Sequence, residues 1–193
     1  MRVAFLTVAV WTLAFMMAAG QPSSRPLTIE QYKTAGVNIA ITSISFAANG
    51  AIPTKHADYG EKISPALSWT VPPSAKSLVV IVEDPDAKEP KPFVHWVLYN
   101  LPPSFAALPE AVPGAPRLPE FGGALQGRNS RGTIGYFGPR PPKGDPAHHY
   151  HFQVFAVDAM LELDPGATAS VVVAAMNKHV VGRGELVGLY RAP

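Results

Sequence analysis

Apolar and polar positions alternate along this chain in short runs, and that pattern predicts strands more often than helices. Residues 38–46 (NIAITSISF) are β-rich, with the alternation slipping by one near Ser43, as a bulge would cause. Residues 66–71 form a short strand candidate ended by Pro72-Pro73. Residues 77–83 (SLVVIVE) are a continuous β-branched run, which predicts a central strand covered on both faces. Residues 93–100 (FVHWVLYN) and 148–158 (HHYHFQVFAVD) are two further strands, and 185–190 (ELVGLY) a last one. The best helix candidate is 168–179, on length and Ala content, although three consecutive Val oppose it. Strands that are not interleaved with regular helices favour a mainly β, antiparallel sandwich or barrel over a doubly wound sheet. Thirteen of the 21 Pro fall between Pro85 and Pro146, so that region is largely shaped loop joining strands.

The start of the chain has a different pattern. Met1-Arg2 is a minimal positive region, and residues 3–19 run without a charge into small residues at Ala18, Ala19 and Gly20. This is the layout of a secretory signal peptide cleaved near Gly20. The expected organisation is a signal peptide over 1–20, a flexible leader over 21–37 and one folded domain over 38–193. The protein is then exported, periplasmic or secreted, with no integral membrane segment after processing.

Composition narrows the chemistry. The 193 residues suit a single domain. The absence of Cys removes disulfides, Cys-ligated zinc, iron–sulfur clusters and thiol catalysis. A formal net charge of +2 lacks the basic stripe of a dedicated nucleic-acid binder. No P-loop, G-x-S-x-G elbow or EF-hand loop is present, and Gly182, Gly184 and Gly188 precede a strand, so they give no dinucleotide signal. No cofactor is expected.

Three segments could carry chemistry. Glu83-Asp84-Pro85-Asp86-Ala87 follows the strongest strand, where Pro85 holds both Asp in extended or turn geometry; an Asx-type turn is the plainer explanation. In 93–100, alternation places Phe93, His95, Val97 and Tyr99 on one face, and Val94, Trp96 and Leu98 on the other. In GYFGPRPPKGDPAHHY (135–150), a Pro- and Gly-built loop feeds a strand. Here His148 and Tyr150 share one face, and His149 and His151 the other. The second pair could ligate a metal at i, i+2, but no third ligand follows at a telling spacing. Arg140 and Lys143 read as solvated loop charges.

Taken together, EDPDA, His95-Trp96, the GxNxxGxxGYxGPxPP stretch over 127–142 and HxYxFxVFAVD over 148–158 resemble the phosphatidylethanolamine-binding protein family. The closest likeness is to its bacterial Raf-kinase-inhibitor-like branch, and it spans about 39–190. The resemblance implies a Greek-key β-sandwich with a few short helices, here near the C-terminus. It also implies a small pocket for an anion or phospholipid head group, formed by Asp84, Asp86, His95, Gly138, Pro139, Pro141, His148 and Tyr150. No catalytic or metal-binding residue is expected, and the function implied is non-enzymatic binding, with regulation of a partner protein and homodimer formation as further expectations. The alternatives are a hydrolase of phosphate or carboxylic esters and a protease inhibitor. In the pocket, Asp84 would either hold an imidazole in one tautomer and keep it cationic, with His95 or His148 as that cation, or receive the ammonium of an ethanolamine head group while the donors take the phosphate.

Overall fold

A computed structural model describes residues 27–32 and 35–193. The expected signal peptide and the first residues of the expected leader lie outside the described residues. The strands, in chain order, are β1 (Val37–Asn38), β2 (Ile41–Thr42), β3 (Gly50–Ala51), β4 (Leu67–Trp69), β5 (Ser77–Asp84), β6 (Phe93–Leu101), β7 (Ala107–Leu108), β8 (Arg117–Leu118), β9 (Ala124–Gln126), β10 (His148–Val157) and β11 (Val180–Tyr190). The larger sheet has the order β1-β11-β10-β5-β6-β9-β8 with β3 beside β11, and the smaller has the order β2-β4-β7.

The fold is mainly β with few helices. β5 is buried along its whole length and sits between β10 and β6, which is the placement its unbroken β-branched run predicts. The sheet is mixed and not purely antiparallel, because β1 and β3 both run parallel to β11. Both are two-residue edge contacts, and alternation of side chains carries no information about strand direction. The strand expected over 38–46 divides between the sheets, with β1 on the larger and β2 on the smaller. Glycine on β11 permits this crossing: a Cβ at Gly184 would lie 2.0 Å from the Ile39 carbonyl oxygen.

Each face of the larger sheet buries its own core. On one face Trp96, Leu98, Tyr150, Phe152 and Val154 pack with Ile41, Leu67, Trp69 and Leu108 of the smaller sheet. On the other, Val79, Ile81, Val97, Tyr99 and Phe155 lie under helix α2 (Ala169–Met176), labelled here after the four-residue helix α1 (Thr28–Gln31). α2 buries Val172 and Met176 one turn apart. Burying two such side chains stabilises by about 1.5–3 kcal/mol each, which overrides the weak helix propensity of its three Val. Among the described residues only α2 lies near the C-terminus; α1 and the single 3₁₀ turns Thr54–His56 and Pro119–Phe121 lie earlier, contrary to the expected grouping.

Part of the expected leader is docked. Thr28 gives its N–H to Glu83 Oε2 at 2.8 Å and its hydroxyl to Glu83 Oε1 at 2.9 Å, while Gln153 Nε2 donates to Oε2 at 2.7 Å. A buried carboxylate needs such partners, and α1 supplies two of them. Alternation then sends the next side chain on β5, that of Asp84, to the opposite face.

Candidate functional site

β5 stops at Asp84 because Pro85 cannot donate to the ladder. Asp84 Oδ1 accepts the N–H groups of Asp86 at 2.8 Å and Ala87 at 3.2 Å, an Asx turn. Its other oxygen, Oδ2, accepts from His148 Nδ1 at 2.8 Å. The turn therefore also fixes the carboxylate for a long-range contact.

His148 opens β10, and alternation puts it and Tyr150 on one buried face, with the exposed His149 on the other. His149 and His151 do not converge on a metal. Each pairs with a carboxylate of its own, His149 Nδ1 with Asp86 at 2.7 Å and His151 Nδ1 with Glu185 at 2.8 Å. No group of three or more metal-ligating side chains occurs among the described residues.

His95 reaches the site through a bulge. Val82 pairs with Trp96 and Glu83 with Val94, leaving His95 as an extra residue in β6. His95 and Trp96 consequently lie on the face of Asp84 and Tyr150, while Val97 and Tyr99 join the opposite core. Strict alternation had grouped Val97 and Tyr99 with His95; the bulge breaks that period.

The two imidazoles titrate differently. The Asp84 hydrogen bond raises the pKa of His148, outweighing its burial. His95 has no carboxylate partner: Nδ1 meets the Phe137 carbonyl at 2.7 Å, and the Phe137 N–H returns to the His95 carbonyl at 2.8 Å. Burial pushes His95 down to about 4, against smaller opposing effects of the Phe137 carbonyl and Asp84. Of the two imidazoles, His148 is shifted towards the cation and His95 towards the neutral ring.

Tyr150 packs edge-on to His95 at 5.1 Å and stacks with His148 at 6.5 Å between ring centres. Among the described residues, no group meets its buried hydroxyl in good hydrogen-bond geometry, although the Asp84 carboxylate and the Arg140 backbone lie close to it. Asp84 is near enough to raise the phenol pKa beyond the effect of burial.

These groups border a cavity of about 240 Å³. Asp84, His95, His148 and Pro141 line it, together with the rings of Phe93 and Phe137. Gly138, Pro139, Asp86 and Tyr150 are not among the residues that line it. A Cβ at Gly138 would lie 2.5 Å from the His56 carbonyl oxygen, and Pro139 accepts the Asp58 N–H at 3.0 Å, so these two pin the loop that carries Pro141. Asp86 holds His149 on the outer side.

Three exposed cations that the sequence left as loop charges or passed over also border the cavity: Lys88, Arg131 and Arg140. The Arg131 guanidinium sits 5.4 Å over the Phe137 ring, Arg140 pairs with Asp58 at 3.4 Å, and Lys88 pairs with Asp145 at 3.0 Å. Their sequence signal is only a charge beside Gly or Pro, which does not reveal where a loop folds back. A larger cavity of about 860 Å³ lies on the opposite face, bordered by α1, α2 and Glu83. The Glu83 carboxylate there is already satisfied by Thr28 and Gln153, so the smaller cavity is the better candidate for binding chemistry.

Residues 42–191 match the family model described as phosphatidylethanolamine-binding protein. The chain is 49% identical over 148 residues to the UPF0098 protein of Methanothermobacter thermautotrophicus, covering 76% of this chain and 95% of that protein. The crystal structure of the phosphatidylethanolamine-binding protein homologue CT736 from Chlamydia trachomatis is similar with a TM-score of 0.72 and 38% identity, covering 81% of this chain and 99% of that one. That of E. coli YbcL, described as a new member of the mammalian family, gives a TM-score of 0.73 and 31% identity, covering 80% and 99%.

Proposed function

The chain belongs to the phosphatidylethanolamine-binding protein family, and from that premise we propose that it is a non-enzymatic binding module whose small pocket takes an oxyanion or a phosphorylated head group. The observation that carries this is the buried Asp84–His148 pair beside a cavity bordered by Arg131 and Arg140. A cationic imidazole forms charge-assisted hydrogen bonds, which are roughly twice as strong as neutral ones. The arginines raise the local concentration of anions by long-range attraction. Among the described residues that line the cavity there is no hydroxyl or thiol to serve as a covalent nucleophile beside an imidazole, which supports binding over a covalent ester-hydrolysis mechanism.

Export of the protein rests on the signal-like pattern of its first twenty residues. Among the described residues, no helix is long and apolar enough to cross a membrane. Regulation of a partner protein and a homodimeric state belong to the same proposal; inhibition of a protease is an alternative to it.

Inorganic phosphate is the probe that tests the pocket. Titration should shift the His148 ring signals, and His148→Ala should abolish binding while its thermal transition stays cooperative. Binding by that variant equal to the parent's would place the site elsewhere. Turnover of chromogenic phosphodiesters or carboxylic esters that vanishes in His148→Ala would overturn the non-enzymatic proposal.

A further inference from the structure

Resting on the proposal that the small pocket takes an oxyanion, we infer that His95 makes the pocket selective for oxyanions that carry their own hydrogen. Hydrogen phosphate and singly protonated phosphate monoesters belong to this class, and sulfate and phosphodiesters do not.

The selection follows from which ring nitrogen is spent. The Phe137 carbonyl can only accept, so His95 Nδ1 carries the hydrogen of the 2.7 Å bond between them. The Phe137 N–H, bonded to the His95 backbone carbonyl, fixes the two backbones together, and the stacked Phe137 ring, at 5.6 Å and 18°, opposes turning the imidazole over. A neutral imidazole with hydrogen on Nδ1 presents a lone pair at Nε2. Nε2 bonds to no described residue, and His95 lines the cavity, so Nε2 is the atom left for an occupant.

The charges around His95 keep it in that state. Asp84 favours a second proton and His148 opposes it, while burial among Phe93, Phe137 and Tyr150 disfavours the cation. The pocket therefore offers two unlike contacts: a donor at His148, for which an occupant competes with Asp145 at 3.7 Å, and an acceptor at His95. Hydrogen phosphate matches both, with one ionised oxygen and one P–OH. Sulfate brings lone pairs alone, so one of its oxygens must face the Nε2 lone pair where little water can intervene. An unmatched buried polar contact of this kind weakens binding by about tenfold or more.

Four probes separate charge from hydrogen content: inorganic phosphate, methyl phosphate, dimethyl phosphate and sulfate, titrated at about pH 6, where a phosphate monoester is roughly half protonated. Phosphate and methyl phosphate should bind about tenfold or more tightly than dimethyl phosphate and sulfate. Nitrogen NMR should find His95 Nε2 without a hydrogen in the free protein. In His95→Gln, whose amide can turn to donate, the ratio of phosphate to sulfate affinity should fall towards one. Equal binding of all four probes, or a hydrogen on Nε2, overturns the selectivity and leaves the anion pocket standing. Binding of none removes the pocket and the selectivity together. Because the four-probe comparison uses the parent protein, a misfolded variant does not rescue the inference.

Discussion

Asp84 Oδ2 and His148 Nδ1 meet at 2.8 Å with side chains only 4% and 6% exposed, joining the end of β5 to the start of β10. The carboxylate fixes the imidazole's orientation, since Nδ1–H can point nowhere else, and holds Nε2–H towards the cavity.

Asp84→Asn tests that link. Asparagine keeps an oxygen for the Asp86 and Ala87 N–H groups but loses the charge. The His148 pKa should fall back towards the ordinary imidazole range, and phosphate binding near neutral pH should weaken by about tenfold. A ring titration by proton NMR reads both, and an unmoved His148 titration would refute the assigned role.

The pH dependence of binding follows from the same pair. Asp84, Asp86 and Asp145 raise the His148 pKa. The cation is thus fully present below its folded pKa and is lost as pH rises through that point. Phosphate affinity should decline across this range. Calorimetric titration at a series of pH values checks this, and a flat profile on the alkaline side of the His148 titration would contradict it.

Much of this site was legible in the sequence, and the rest was hidden for specific physical reasons. Turn chemistry puts Asp84 in an Asx turn and period-2 alternation puts His148 and Tyr150 on one face, while their convergence on a pocket was what the family resemblance implied. His95 was identified, but its face-mates were not, because one extra residue between Val94 and Trp96 reverses the pattern beyond it. The short strands β3, β7, β8 and β9 are two or three residues long, too short to show a period. Lys88, Arg131 and Arg140 depend on loop paths set by contacts such as Gly138 against the His56 carbonyl. Such contacts span about eighty positions and leave no local trace. The docking of Thr28 on Glu83 is of the same kind, a 55-residue separation closed by a buried carboxylate.

Asp145 competes with any bound anion. Its Oδ2 lies 3.7 Å from His148 Nε2 and 3.0 Å from Lys88 Nζ, so the protein's own carboxylate occupies the approach to the imidazole. Asp145→Asn removes a like charge and frees Lys88. Phosphate affinity should rise by about threefold to tenfold. Weaker binding in the variant would show that Asp145 organises the site and does not obstruct it.

His95 should also leave a signature in acid. Its pKa is near 6.5 when exposed and is held at about 4 in the fold. Between those values the unfolded chain binds a proton that the folded chain refuses, so stability must fall as pH drops through this window. The shift corresponds to a loss on the order of 3 kcal/mol. Asp86 and Asp145, both held low by their partners, lose their contributions at lower pH. His148 works in the opposite direction, stabilising more as pH falls. His95→Gln isolates the one term, since glutamine does not titrate. Urea denaturation of parent and variant should show a stability gap that favours the parent near neutrality and narrows steadily towards pH 4. A gap that stays constant across the window would mean that His95 is not buried as a neutral ring, and the acceptor assigned to Nε2 would be lost with it.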